Sequence, residues 1–250
     1  MDAQHVFDRV LKNSADKSLT VLCISGMTDV AKTMRESPLL VKRKLVHVCV
    51  MGGLSFDETN NAWEPDAAVN NAFDVDAARV VYNFCFDQEI KLSVVSRNAV
   101  PHLPMDMVRN FAAKNPSNPI FQYLARSQQE GLVGLWDKLC NGELPKRCDK
   151  SWYMRTFCGY RGDSFSQKEL QKLDVSTDIA KYLNGSIKPY DVCAFMLTLP
   201  NPIARFGLKP KIYCVSNTEH MLYLDDARIF GRKAVMDFLE SAFESITEDG

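Results

Sequence analysis

Apolar residues recur at helical spacing from the start of the chain. Ala3, Val6, Phe7, Val10 and Leu11 share one face, so residues 2–13 are expected to form an amphipathic helix. After a polar turn, Leu19–Ile24 is a short apolar run, the pattern of a buried strand, and Ser25-Gly26 breaks it. A helix is expected from about Asp29, whose carboxylate suits an N-cap. Leu45–Met51 is a second buried strand, closed by Gly52-Gly53. Leu54–Asp66 reads as a polar loop containing Asn60, Asn61 and Trp63. Asp74 is placed to cap a helix from Val75 to about Phe86, and Ile90–Val95 is a third strand. Strand, helix, strand, helix, strand in this order predicts an α/β fold: Rossmann-like, with a mostly parallel sheet flanked by helices.

The second half is less periodic. Met105–Lys114 and Pro119–Cys140 are expected to be helical, with Gly131 and Gly134 weakening the latter. Leu144–Gly162 is rich in basic and aromatic residues and has no clean period. Asp191–Leu199 reads as a short apolar helix between Pro189 and Pro200. Lys211–Val215 and Met221–Leu224 suggest a hairpin around residues 216–219, and Gly231–Ile246 a closing amphipathic helix. There is no internal repeat and no linker rich enough to mark a second domain. Residues 1–250 are therefore read as one domain, with 141–188 an insertion or lid.

Composition narrows the function classes. With 30 Lys+Arg against 31 Asp+Glu in 250 residues, the net charge of -1 is too balanced for bulk electrostatic binding of nucleic acid or an anionic membrane. No apolar run approaches the roughly 18 residues of a membrane-spanning helix. The eight cysteines form no Cys-x-x-Cys pair, which argues against a zinc knuckle or a thioredoxin-like site. Most lie in apolar runs, such as Leu22-Cys23-Ile24, and are expected to be reduced and buried, pointing to a cytoplasmic setting.

In parallel α/β sheets, ligands sit beyond the carboxyl ends of the strands. That rule selects Ser25–Asp29, Met51–Asp66, Ser96–His102 and the loop before Asp191. Ile24-Ser25-Gly26-Met27-Thr28-Asp29-Val30-Ala31 resembles the Gly-Pro-Leu-Thr-Asn-x-Ala turn of the inosine/uridine-preferring nucleoside hydrolases. Val48–Gly53 resembles that family's strand ending in Met-Gly-Gly. Asp66–Ala78 resembles its Ala-Glu-Phe-Asn segment followed by Asp-Pro-Glu-Ala-Ala, and Tyr190–Ala194 its His-Asp-Pro-Leu-Ala stretch. The matches keep their order and cover about residues 5–200.

The resemblance implies hydrolysis of the N-glycosidic bond of a nucleoside or related N-riboside, with calcium holding the attacking water and the ribose hydroxyls. By position, Asp191 would give calcium its carboxylate and Thr28 its backbone carbonyl. Asn70 and Asn61 would bind the ribose, Met51 would line the sugar pocket, and Tyr190 would donate a proton or hydrogen bond to the leaving base. The chain also departs from the family. The aspartate cluster Asp-x-Asp-x-x-x-Asp-Asp on the family's opening strand has no counterpart before Thr28, where only Asp2, Asp8 and Asp16 occur. Asp74-x-Asp76 and Asp225-Asp226 stand in the wrong order to replace it. Ala68 replaces the ribose-binding glutamate, and Tyr190 stands where His is frequent. A nucleoside-hydrolase-like domain lacking its opening strand, and so N-terminally incomplete, is the expectation.

Plainer roles compete. Asp191 could be a helix cap, Thr28 a turn residue, Asn70 and Asn71 caps, and Asn61 plain loop. Two functions remain open: a ribohydrolase whose aspartates come from a missing segment or a partner chain, or a non-catalytic derivative that binds a ribosyl ligand or a protein. A sheet missing a strand also exposes an edge, so a homo-oligomer is expected.

Overall fold

The computed structural model describes residues 3–160, 167–215, 217–224 and 229–248. Asp2, Ser216 of the expected hairpin turn, and Asp225-Asp226 lie outside the described residues. The chain divides into two compact units, Met1–Pro101 with Pro189–Val235 and His102–Lys188 with Met236–Gly250.

The first unit opens with α1 (Ala3–Asn13), β1 (Leu19–Cys23), α2 (Thr28–Glu36), α3 (Pro38–Lys44) and β2 (Leu45–Met51). It continues with β3 (Leu54–Asp57), β4 (Ala62–Pro65), α4 (Val69–Ala72), α5 (Val75–Asp87) and β5 (Lys91–Val95). The second unit carries β6 (Leu103–Pro104), α6 (Met107–Lys114), α7 (Pro119–Cys140), α8 (Lys150–Phe157), α9 (Gln167–Lys172), a 3-10 turn at Ile179–Tyr182, and β7 (Ser186–Ile187). The chain returns to the first unit through α10 (Tyr190–Met196), α11 (Pro202–Phe206), β8 (Lys211–Val215) and β9 (Thr218–Tyr223), and α12 (Arg232–Glu248) follows.

The main sheet has five strands in the order β1-β2-β5-β9-β8. β1, β2, β5 and β9 run parallel, and β8 closes one edge antiparallel to β9. The register sets Val50 between Cys23 and Val94, and Cys49 beside Ser93. Alternation along the strands then builds two faces. Val48, Val50, Leu92, Val94, Leu222 and Leu224 pack with Ala31, Met34, Ala78 and Val81 into the core under α2 and α5. α10 packs on β2 and β5, and its buried residues, Cys193, Ala194 and Met196, lie outside that cluster, so it covers the other face. Two-sided cover explains why β2 is a nearly unbroken apolar run. The α/β fold with a mostly parallel, helix-flanked sheet is thus as the pattern predicts.

Three local expectations change. Leu54–Asp66 is not a polar loop but the antiparallel hairpin β3–β4, because Phe56 and Trp63 pair across it at 5.2 Å and Trp63 buries itself in the core. A separate helix, α3, occupies Pro38–Lys44, with Pro38 at its start. The aperiodic segment after Leu144 contains α8, capped by Asp149, which accepts from the Trp152 amide.

The second unit has its own core of Trp136, Tyr153, Met154, Cys158, Leu170, Ile179 and Leu183. Trp136 donates to the Asp174 carbonyl at 2.9 Å, and Tyr153 to that of Leu132 at 2.9 Å, so both rings bury their polar tips satisfied. Segment 141–188 falls within this unit. Among the described residues, no helix is long and apolar enough to cross a membrane. All eight cysteines are free thiols; burial pushes that of Cys23 up to about 12.

Candidate functional site

Parallel pairing brings the carboxyl ends of β1, β2 and β5 to one rim of the sheet, where the chain turns over residues 24–27, 52–53 and 96–98. The first turn leads into α2. Thr28 is the first residue of that helix, and its hydroxyl donates to Asp74 Oδ2 at 2.8 Å. The other oxygen of Asp74 accepts from the Ala77 amide at 3.0 Å and caps α5, as its position predicts. The Ala77 amide and the Thr28 hydroxyl together hold the Asp74 carboxyl below the usual carboxylate range. One aspartate therefore ties the starts of α2 and α5 together.

The second turn rests on a buried polar network. Asn70 donates to the Met51 carbonyl at 2.9 Å. Asn71, fully buried, donates to the Gly53 carbonyl at 2.8 Å and to Asp66 Oδ1 at 3.1 Å, and accepts from the Tyr82 hydroxyl at 2.9 Å. This packing explains Gly52-Gly53. A Cβ on Gly52 would stand 2.6 Å from the Tyr82 hydroxyl, and one on Gly53 would overlap the Asp66 carboxylate. Sequence reasoning singled out Asn70 and missed Asn71; the double Asn was visible, but its burial was not. Neither residue caps a helix by its side chain: α4 begins after Ala68 with no side-chain cap.

The third turn is stitched to β9. The Ser96 amide donates to the Tyr223 carbonyl at 2.8 Å, and the Ser96 hydroxyl donates to the Leu224 carbonyl. The hydroxyl oxygen also accepts from the Asn98 amide at 3.2 Å.

The structure thus brings Thr28, Met51 and Asn70 to this rim. Met51 is buried, and its carbonyl is taken by Asn70. Asn61 sits at the β3–β4 turn with a φ of 50°, the left-handed conformation that Asn tolerates well. Tyr190 and Asp191 are the first two residues of α10, Tyr190 being 37% exposed. Asp191 does not cap this helix, since the cap position is Pro189 and no side-chain cap bond forms. Partial desolvation raises the Asp191 carboxyl pKa.

Calcium takes about six to eight oxygens. Among the described residues, no group of three or more His, Cys, Asp or Glu side chains is placed to hold a metal ion. Asp191 and the Thr28 carbonyl would need further oxygens from water, substrate or another segment to complete such a sphere. Another chemically suggestive group proves unreactive. His47 Nε2 lies 2.8 Å from Ser93 Oγ and 3.3 Å from Cys49 Sγ, but all three are buried inside the sheet. Burial pushes the Cys49 thiol far above its ordinary range and lowers His47 to about 4, with Lys91 contributing to the latter, so near neutral pH the thiol keeps its proton and the imidazole is neutral.

The parallel sheet and its two-sided helical cover define an α/β fold, and solved structures, two nucleoside hydrolases among them, share it. The type III effector protein XopQ, crystallised with adenosine diphosphate ribose, superposes with a TM-score of 0.76 at 22% identity over 98% of this chain. The effector protein XOO4466 superposes at 0.74 and 22% identity, also over 98% of this chain. The inosine-uridine preferring nucleoside hydrolase from Bacillus anthracis gives 0.53 at 13% identity over 97% of this chain and 65% of its own. The purine-preferring ribonucleoside hydrolase from Gardnerella vaginalis gives 0.54 at 12% over 100% of this chain and 67% of its own. The chain spans 65% of the length of the two effector structures. No protein-family model matches the sequence, and no curated protein matches it significantly. At these identities the likeness shows the fold.

Proposed function

We propose that this chain binds a ribosyl nucleotide of the ADP-ribose type at the rim formed by Thr28, Met51–Gly53 and Asn70. The observation that carries this reading is the likeness to XopQ, an effector crystallised with adenosine diphosphate ribose, at a TM-score of 0.76 against 0.53 and 0.54 for the two hydrolases. The donor set supports binding over independent hydrolysis. Asn70 commits its amide to Met51 but keeps its carbonyl oxygen as an acceptor for a ribose hydroxyl. Ala68 offers none. Calorimetry with ADP-ribose, paired with a reducing-sugar assay on inosine and uridine in calcium, tests it. Binding heat without sugar release is expected; absence of binding overturns the reading.

A second reading, hydrolysis of an N-riboside with carboxylates supplied by another segment or chain, is favoured by Asp191. It stands exposed at the start of α10 with no hydrogen-bond or ion-pair partner among the described residues, so its carboxylate is open to a cation. Sugar release that Asp191→Ala abolishes would establish this reading in place of the first.

A further inference from the structure

Phe73 is the most exposed aromatic side chain of the first unit, at 66%. Burying such a ring is worth about 2 kcal/mol, so leaving it in water sets aside a sizeable gain. It is not a loose residue. Its amide donates to the Val69 carbonyl at 3.1 Å, and the next residue, Asp74, is bonded to Thr28 and to the Ala77 amide. Its Cβ packs on the turn after β1: a Cβ built on Gly26 would stand 3.2 Å from it. The backbone on both sides is therefore fastened, while no other aromatic ring packs on Phe73 among the described residues. Val69, one helical turn earlier and 60% exposed, extends the apolar surface. Phe73 lies against the Gly26 turn and precedes Asp74, the partner of Thr28, and Val69 precedes Asn70, so both belong to the rim where the ribosyl ligand is proposed to sit.

From this placement we infer that Phe73 is the base-stacking residue of the site: its ring, flanked by Val69, packs against the purine of an ADP-ribose-type ligand while Asn70 meets the ribose. This inference rests on the proposed function and adds the residue that selects for a base-bearing ligand over a bare sugar phosphate. A fastened aromatic platform suits this task, because stacking gains most when the ring loses little freedom on binding.

The test compares two probes on two variants by calorimetry. ADP-ribose carries the base; ribose 5-phosphate does not. Phe73→Ala is expected to weaken ADP-ribose binding by about five-fold or more, the range of single base–aromatic stacks, and to leave ribose 5-phosphate binding within about two-fold. Phe73→Trp should restore ADP-ribose affinity and quench its own fluorescence on binding. At 66% exposure the alanine variant keeps its fold, which a matching thermal melt checks. If the unchanged chain binds ADP-ribose and Phe73→Ala binds it equally well, the stacking role is overturned while the proposed function stands. Equal losses for both probes would also overturn it, marking a general effect on the rim. If the unchanged chain does not bind ADP-ribose, both fall.

Discussion

The buried network under Gly52-Gly53 allows a test whose sign depends on the hydrogen bonds themselves. Asn71→Leu keeps most of the side-chain volume, so the change reads hydrogen bonding more than a cavity. It removes the donor to the Gly53 carbonyl and the acceptor of the Tyr82 hydroxyl, at 2.8 and 2.9 Å. Asn71 and Tyr82 are both fully buried, so water cannot substitute without opening the turn. Each orphaned group costs about 1–3 kcal/mol, and the variant should lose about 2–5 kcal/mol. Tyr82→Phe alone removes one bond and should cost about 1 kcal/mol. The combination is the informative case. With leucine at position 71, removing the stranded hydroxyl of Tyr82 relieves a penalty, so the double variant should be about 1 kcal/mol more stable than Asn71→Leu. Urea unfolding of the four proteins at pH 7, followed by circular dichroism, measures this. If the double variant is less stable than Asn71→Leu by the full cost of Tyr82→Phe, the two side chains act independently and the network is refuted.

Other consequences follow from the same structure. His47 has its pKa lowered from 6.5 to about 4 in the folded chain by burial, with Lys91 adding to it, and the buried His220 shifts the same way. The unfolded chain then binds protons that the folded one refuses, so stability is full above about pH 6.5 and falls as the pH drops toward 4, by roughly 3 kcal/mol at the limit for His47 alone. Urea midpoints at pH 7 and pH 5 should differ, and His47→Gln should flatten the slope; equal midpoints in the unchanged chain contradict this. Asp74→Ala removes both the α5 cap and the bond to Thr28 and should cost about 1–2 kcal/mol, with Asp74→Asn losing less, measured by thermal melting. Gly53→Ala drives a methyl group into the Asp66 carboxylate and should destabilise by about 2 kcal/mol or more, whereas Gly134→Ala, which meets nothing within 4 Å, should not.

Some of this was legible along the chain because it depends only on periodicity and local chemistry. The strands Leu45–Met51 and Lys91–Val95 announce themselves as apolar runs, since a parallel strand covered on both faces has no polar side, whereas Leu19–Cys23, also apolar in sequence, lies at the sheet edge with only Cys23 buried. Asp74 reads as a cap because its carboxylate needs only an amide three residues on. The order of strands and helices yields the parallel sheet by the short-crossover rule. Met51 and Thr28 are likewise readable, because they fall in the stretches at and just after strand ends, whereas Asn70, in α4, was reached only through the family resemblance.

Tertiary structure decided the rest. Nothing local tells that β9 inserts between β5 and β8, since that pairing joins Ser93 to Met221 across about half of the chain. Adjacent asparagines look equivalent in sequence, yet Asn71 is buried by Tyr82 and Gly53 while Asn70 holds Met51 and stays partly open. The hairpin at Leu54–Pro65 was hidden because its stability comes from Phe56 meeting Trp63 and from Trp63 meeting Tyr213, a residue far along the chain. Phe73 would count as ordinary core by composition; only the packed fold leaves it 66% in water at the rim. The chain's own pattern settles which segments are strands and helices, because those choices cost and gain free energy within a few residues. Which side chains meet at the strand ends is settled by long-range packing, which no local pattern encodes.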